Sequence, residues 1–160
     1  MTNRILGIRA GPKAFHWAVV EGTQEAPSLL AQGKAEAPAS YEEPAAIAAL
    51  RDRVLHLIDT YHPTAVGVRF AESFGGGAGN TDSARRRCRV EGVVLEASHS
   101  RGLGVLTGAL SRIGAKLGTR TPKKYIEGGD LRGLDLSALP SPRREAVLVA
   151  VAQLPRSTAD

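Results

Sequence analysis

The stretch RILGIRAGPKAFHWAVVEG, residues 4 to 22, constrains the fold more than any other. A short apolar run turns at Gly11 and resumes with alternating bulky residues, which is the pattern of a β-hairpin. SLLAQGKAEA, from residue 28, supplies a third strand, and PASYEEP follows as a loop. AAIAALRDRVLHLIDTYHP then sets Ile47, Leu50, Val54, Leu57, Ile58 and Tyr61 on one face at helical spacing, with Pro63 as the stop. TAVGVRF, residues 64 to 70, is a short β-branched run after that stop. A helix between two strands makes them a parallel pair joined by a right-handed crossover.

Further along, ESFGGGAGNTDSA is a glycine-rich loop whose Asp82 or Ser83 is the expected cap of a helix over roughly 83 to 99. GLGVLTG gives another strand, with Thr107 expected to cap the helix GALSRIGAKLG. Residues 118 to 140 show no period. In SPRREAVLVAVAQL, Ser141 is the expected cap, Pro142 the first helical residue, and Val147, Leu148, Val151 and Leu154 the inward side. Three antiparallel strands followed by alternating strands and helices predict an α/β mixed sheet covered by helices on its faces.

At 160 residues the chain has the length of one domain, expected over residues 1–155 with 156–160 as a short C-terminal tail. No apolar run approaches the roughly 20 residues that span a bilayer, and the N-terminus lacks a signal layout, so no membrane partner and a cytoplasmic location are expected. Cys88 is the single cysteine, which excludes an intrachain disulfide and a cysteine-based zinc site; it reads as a small core or semi-buried hydrophobe. GGGAG lacks the Lys and Ser/Thr of a nucleotide-binding phosphate loop, and His16, His56, His62 and His99 have no metal spacing.

Charge is the stronger functional signal. Twenty-one Lys and Arg against 16 Asp and Glu give +5, a field that attracts polyanions, of which nucleic acid is the commonest. With 4% aromatic residues, binding of single strands by base stacking is disfavoured. ARRRCRV places Arg85, Arg86, Arg87 and Arg89 within one and a half helical turns, where Arg85 with Arg89, or Arg86 with Arg89, share a face. Such a face contacts phosphates or is merely solvated. Lys123 and Lys124 in TPKKY repeat the signal more weakly.

The element order, headed by ILGIRAG and HWAVVEG, resembles the ribonuclease H-like fold and, within it, the RuvC-type Holliday junction resolvases, whose first hairpin reads like ILGIDPG and GWGVIE. SARRRCRVEGVVLEAS, LGVLTGALSRIGAKLG and PSPRREAVLVAVA are similar to later blocks of that family, so the resemblance covers most of the chain. It implies a nuclease scaffold in which roughly four carboxylates hold two Mg²⁺ ions. Carried across, the first-strand aspartate falls at Arg9, the glutamate of the strand after the helix at Arg69, and the two C-terminal acids at Pro142 and near Glu145. Guanidinium offers a metal no lone pair.

The resemblance therefore implies a degenerate nuclease site with no catalytic set, no metal and no cofactor. Arg9, Arg69, Arg85, Arg86, Arg89, Lys123 and Lys124 are its candidate phosphate contacts, and Glu145 the one carboxylate kept. The leading expectation is a protein that binds the backbone of structured or branched DNA, or of RNA, without cutting it. One alternative is an assembly protein, homodimeric through its helices, with a vestigial cleft. Another is a metal-dependent endonuclease with relocated carboxylates drawn from Glu72, Asp82, Glu91 and Glu145.

Overall fold

The computed structural model describes residues 2–71 and 81–158. The N-terminal alternation becomes three antiparallel strands, β1 (Arg4–Ala10), β2 (Ala14–Gly22) and β3 (Pro27–Glu36). Helix α1 (Glu43–Tyr61) crosses over to β4 (Ala65–Arg69), which pairs parallel with β1. Helix α2 (Asp82–Ser100) leads to β5 (Gly104–Gly108), parallel with β4. The five-stranded sheet runs β3-β2-β1-β4-β5, which places β1 at its centre. Helices α3 (Leu110–Leu117) and α4 (Lys123–Gly128), a two-stranded ribbon of β6 (Asp130–Leu131) and β7 (Leu134–Asp135), and α5 (Ser141–Gln153) complete the order.

Alternation along the strands sends side chains to two separate cores. Leu6 and Ile8 of β1 and Val66 and Val68 of β4 pack beneath α1 and α2. Ile5 of β1 and Ala18 and Val20 of β2 face α3 and α5. On this second face Gly7 and Gly67 are register partners. A Cβ at Gly7 would meet the Ala146 carbonyl oxygen at 2.0 Å, and one at Gly67 the Val149 carbonyl oxygen at 2.9 Å. The paired glycines let α5 lie directly on the backbone of the two central strands. The expected inward residues Val147, Leu148, Val151 and Leu154 are buried, and burial extends to every residue from Glu145 to Ala152, which makes α5 a core helix.

Several local expectations change. In α1 the buried face is Ala46, Leu50, Val54, Leu57 and Ile58; Ile47 and Tyr61 are half-buried at its margins. Thr81, not Asp82 or Ser83, caps α2: its hydroxyl accepts the Ala84 N–H at 3.1 Å, and Asp82 occupies the first turn, where a carboxylate suits the helix dipole. Ala109 precedes α3 without a side-chain cap, because Thr107 is still in β5 paired with Val68. Pro140 stands at the cap of α5, which makes Ser141 and Pro142 its first two residues. The stretch 118–140 is not wholly irregular, since α4 and the β6–β7 ribbon lie within it. Cys88 is exposed, because the inward side of α2 runs through Val90, Glu91, Val94, Ala97 and Ser98. No helix among the described residues is long and apolar enough to cross a membrane.

Candidate functional site

Parallel pairing of β1 and β4 sets Arg9 directly beside Arg69. Both project to the α5 face, because Ile8, Ala10 and Val68 point the other way into the first core. Adjacent strands lie about 4.8 Å apart, so two guanidinium stems emerge side by side at the strand ends. Above them α5 delivers Glu145, one turn into the helix. One carboxylate oxygen, Oε2, lies 3.2 Å from Arg9 Nε, and the other, Oε1, lies 3.0 Å from Arg69 Nε. Glu145 thus bridges the pair. Arg69 and Glu145 are buried, at 6% and 8% exposure, whereas the Arg9 side chain keeps 25% of its surface open.

Backbone carbonyls take further donors. Arg9 donates Nη1 to the Ala10 carbonyl at 3.2 Å, and Arg69 donates Nη1 to the Phe70 carbonyl. A third guanidinium arrives from α2. Arg87 Nη2 donates to the Arg69 carbonyl at 3.5 Å, and its Nε lies 3.3 Å from Glu91 Oε1 one helical turn on. Glu91 also accepts the Ala71 N–H at 3.1 Å. The Arg87 pKa is held below the usual guanidinium value, first by burial and then by the nearby positive charge of Arg9 and Arg69; Glu91 and Glu145 act in the opposite sense. Three arginines thus share two carboxylates in a largely buried cluster.

Arg87 was missed as a site residue. Its signal was available: it precedes Glu91 by four residues, on the side of α2 that carries Val90 and Val94 inward. Its neighbours in ARRRCRV are occupied elsewhere or exposed. Arg86 pairs with Asp82 at 3.1 Å, Arg89 binds Glu43 of α1 through both carboxylate oxygens, and Arg85 is exposed. Lys123 and Lys124 are exposed on α4, with the Lys124 ammonium 5.0 Å from the centre of the Tyr125 ring. Pro142 supplies no polar group. Glu72, offered as a relocated ligand, and the GGGAG loop lie outside the described residues. Asp82 is engaged by Arg86 and Glu91 by Arg87, and among the described residues no group of three or more His, Cys, Asp or Glu is placed to hold a metal ion.

A pair of magnesium ions does not fit these residues. The two strand ends carry guanidiniums, which offer a metal no lone pair, and both oxygens of Glu145 face them. What the arrangement can do is hold an anion. Fixed planar donors match the oxygens of a phosphodiester, and the partial burial of Arg9 and Arg69 strengthens such a contact.

A mixed five-stranded sheet of this order, with a buried C-terminal helix lying on the central strands, is the ribonuclease H-like fold of the RuvC type. Two solved structures of Thermus thermophilus RuvC superpose on the chain, each at 20% identity. One is in complex with Holliday junction substrate, with a TM-score of 0.72 over 94% of this chain and 91% of that one. The other has a TM-score of 0.73 over 93% and 92%. The yeast mitochondrial Holliday junction resolvase superposes with a TM-score of 0.64 at 12% identity, over 94% of this chain and 77% of its own. No protein-family model and no curated protein matches the sequence.

Proposed function

We propose that this chain is a RuvC-like domain that binds nucleic-acid backbone and does not cut it. One observation carries the reading: Arg9 and Arg69 stand in register at the ends of the two central strands and both pair with Glu145. The resembled nucleases use carboxylates and metal at these positions. Here permanent cations take the place of bound ones. They attract the same phosphodiester, but they neither generate a nucleophilic hydroxide nor leave a coordination site for one. The ligand class is structured or branched DNA, or RNA, held through phosphates without a divalent metal. The resolvase fold and the net charge of +5 support it.

The experiment is a binding and cleavage screen over four-way junction, duplex, single-stranded DNA and RNA at two salt concentrations, with EDTA, Mg²⁺ or Mn²⁺. The expected result is salt-dependent binding that survives EDTA, and intact substrate under every condition. Metal-dependent cleavage abolished by Glu145→Ala would overturn the reading, as would binding to none of the four substrates.

A further inference from the structure

The cationic character of the site does not stop at the arginine pair. Arg9 is the register partner of His16 on β2, and His16 is the partner of Lys34 on β3. Arg69, Arg9, His16 and Lys34 therefore form one row across four adjacent strands. All four lie on the α5 face, since Phe15, Trp17, Val68 and Ala35, their sequence neighbours, belong to the opposite core. Three inter-strand steps of about 4.8 Å make the row about 14 Å long. From above, the first turn of α5 contributes Arg143, whose Nη1 donates to Gln32 Oε1 of β3 at 2.9 Å.

Among the described residues, few carboxylates face this row. Glu145 is committed to the arginine pair, and at the far end Lys34 Nζ meets Glu36 Oε1 at 2.7 Å, with that carboxylate mostly in solvent. The cap residue of α5 makes no side-chain hydrogen bond, so the positive end of the helix dipole adds to the same field. His16 responds to it. Its pKa is pushed down to about 4, by burial first and then by the positive charges of Arg143, Lys34 and Arg9, with Glu36 opposing. The imidazole is therefore neutral at pH 7, and its Nδ1 is buried without a hydrogen-bond partner.

We propose that Lys34, His16 and Arg143 extend the arginine pair into a phosphate track, on which successive phosphates of one nucleic-acid strand lie across the ends of β4, β1, β2 and β3. The proposal rests on the reading that the arginine pair binds phosphodiester. A row one side chain wide suits the backbone of a single strand of a duplex or junction better than the two backbones of a groove. Arg143 supplies a planar fork, Lys34 a point charge, and His16 a neutral group that hydrogen-bonds without competing for the anion.

The test compares salt slopes. With fluorescently labelled junction and duplex oligonucleotides, log affinity is followed against log salt over about 50 to 200 mM. Each duplex phosphate neutralised contributes about 0.9 to the slope, so the double change Lys34→Gln with Arg143→Gln should flatten it by more than one unit. Lys34→Arg with Arg143→Lys should keep the wild-type slope. If the glutamine pair keeps it too while Arg9→Gln lowers it, the track is refuted and the arginine-pair reading stands. If the wild type shows no salt-dependent binding, both fall. If the charge-conserving pair loses slope as fully as the glutamine pair, the residues act through local structure and the track is again refuted.

Discussion

The arginines of α2 and the arginines at the strand ends come from equally conspicuous places in the sequence, yet they meet different company. On the outer side of the α1–α2 layer, cations have partners of their own: Arg86 has Asp82, Arg89 has Glu43, Arg51 has Glu96 and Arg101 has Asp59. These pairs are exposed, where solvent screening leaves each worth little. At the strand ends Arg9 and Arg69 both pair with Glu145, Arg87 lies beside them, and His16 sits among Arg9, Arg143 and Lys34. Arg86 and Arg89 of a dense arginine run thus became an ion-paired helix surface, whereas two isolated arginines on separate strands became the concentrated charge. What decides the outcome is how many cations the fold brings to one carboxylate, and linear charge density does not report that.

The sharpest way to break the contrast is to remove the shared carboxylate. Glu145→Gln takes from the buried Arg69 and the half-buried Arg9 the carboxylate that both pair with, and losing one partner of a buried ion cluster costs about 3–5 kcal/mol. Urea unfolding should show that loss, and added phosphate should restore part of it, because an anion can occupy the place the carboxylate left. The corresponding change on the outer layer, Glu43→Gln beside Arg89, should cost far less and be insensitive to phosphate. Equal losses at the two positions would erase the distinction.

Reversing the sign of the pair should come next in size. Arg9→Asp with Arg69→Glu places two carboxylates beside Glu145 on adjacent strands, which gives a hard cation three oxygen-bearing groups. Mn²⁺ at about a hundred times its dissociation constant would then stabilise the double variant by about 2.7 kcal/mol. Its melting temperature should rise with Mn²⁺ while that of the wild type stays flat. A double variant that folds and ignores the metal would mean that the strand ends no longer have the spacing of a metal site.

The two clusters should also separate by salt dependence. Arg9→Gln with Arg87→Gln should flatten the slope of log affinity against log salt by more than one unit. Arg86→Gln with Arg89→Gln should change it by less, since each of those residues has a carboxylate to itself on the outer layer, whereas Arg9 shares Glu145 with Arg69. If the α2 outer pair flattens the slope as much, its ion pairs open on binding and the helix face belongs to the interface.

How far the sequence revealed this follows from the kind of signal each feature leaves. The order of strands and helices was legible because alternation in β1 and β2 and helical spacing in α1 are local patterns. The meeting of Arg9, Arg69 and Glu145 was legible through the resemblance to the RuvC pattern, which fixes which strand and helix ends adjoin. Arg87 and His16 were not, because their roles depend on which way α2 rolls and on the β1–β2–β3 register. The all-round burial of α5 was also hidden. It requires Gly7 and Gly67 to be register partners, and two glycines sixty residues apart leave no periodic trace.

The smallest expected effect tests whether the positive field of the strand ends reaches β2. His16 has a pKa of about 4 in the folded chain against an ordinary value of 6.5, so the unfolded chain takes up a proton that the folded one refuses. Stability from this group is complete above pH 6.5 and is lost as pH falls from about 6.5 to about 4. The imidazole is partly open to solvent, which screens the effect, and the loss should be modest. His16→Gln should flatten the unfolding profile within that window and leave it unchanged above it. A bound phosphodiester sets negative charge against Arg143, Lys34 and Arg9, the cations that hold the proton off, so it should raise the His16 pKa. Binding to the wild type should therefore strengthen as pH falls through the window, by more than it does for His16→Gln. Identical pH profiles for the two proteins would confine the excess charge to the arginine pair and remove β2 and β3 from the site.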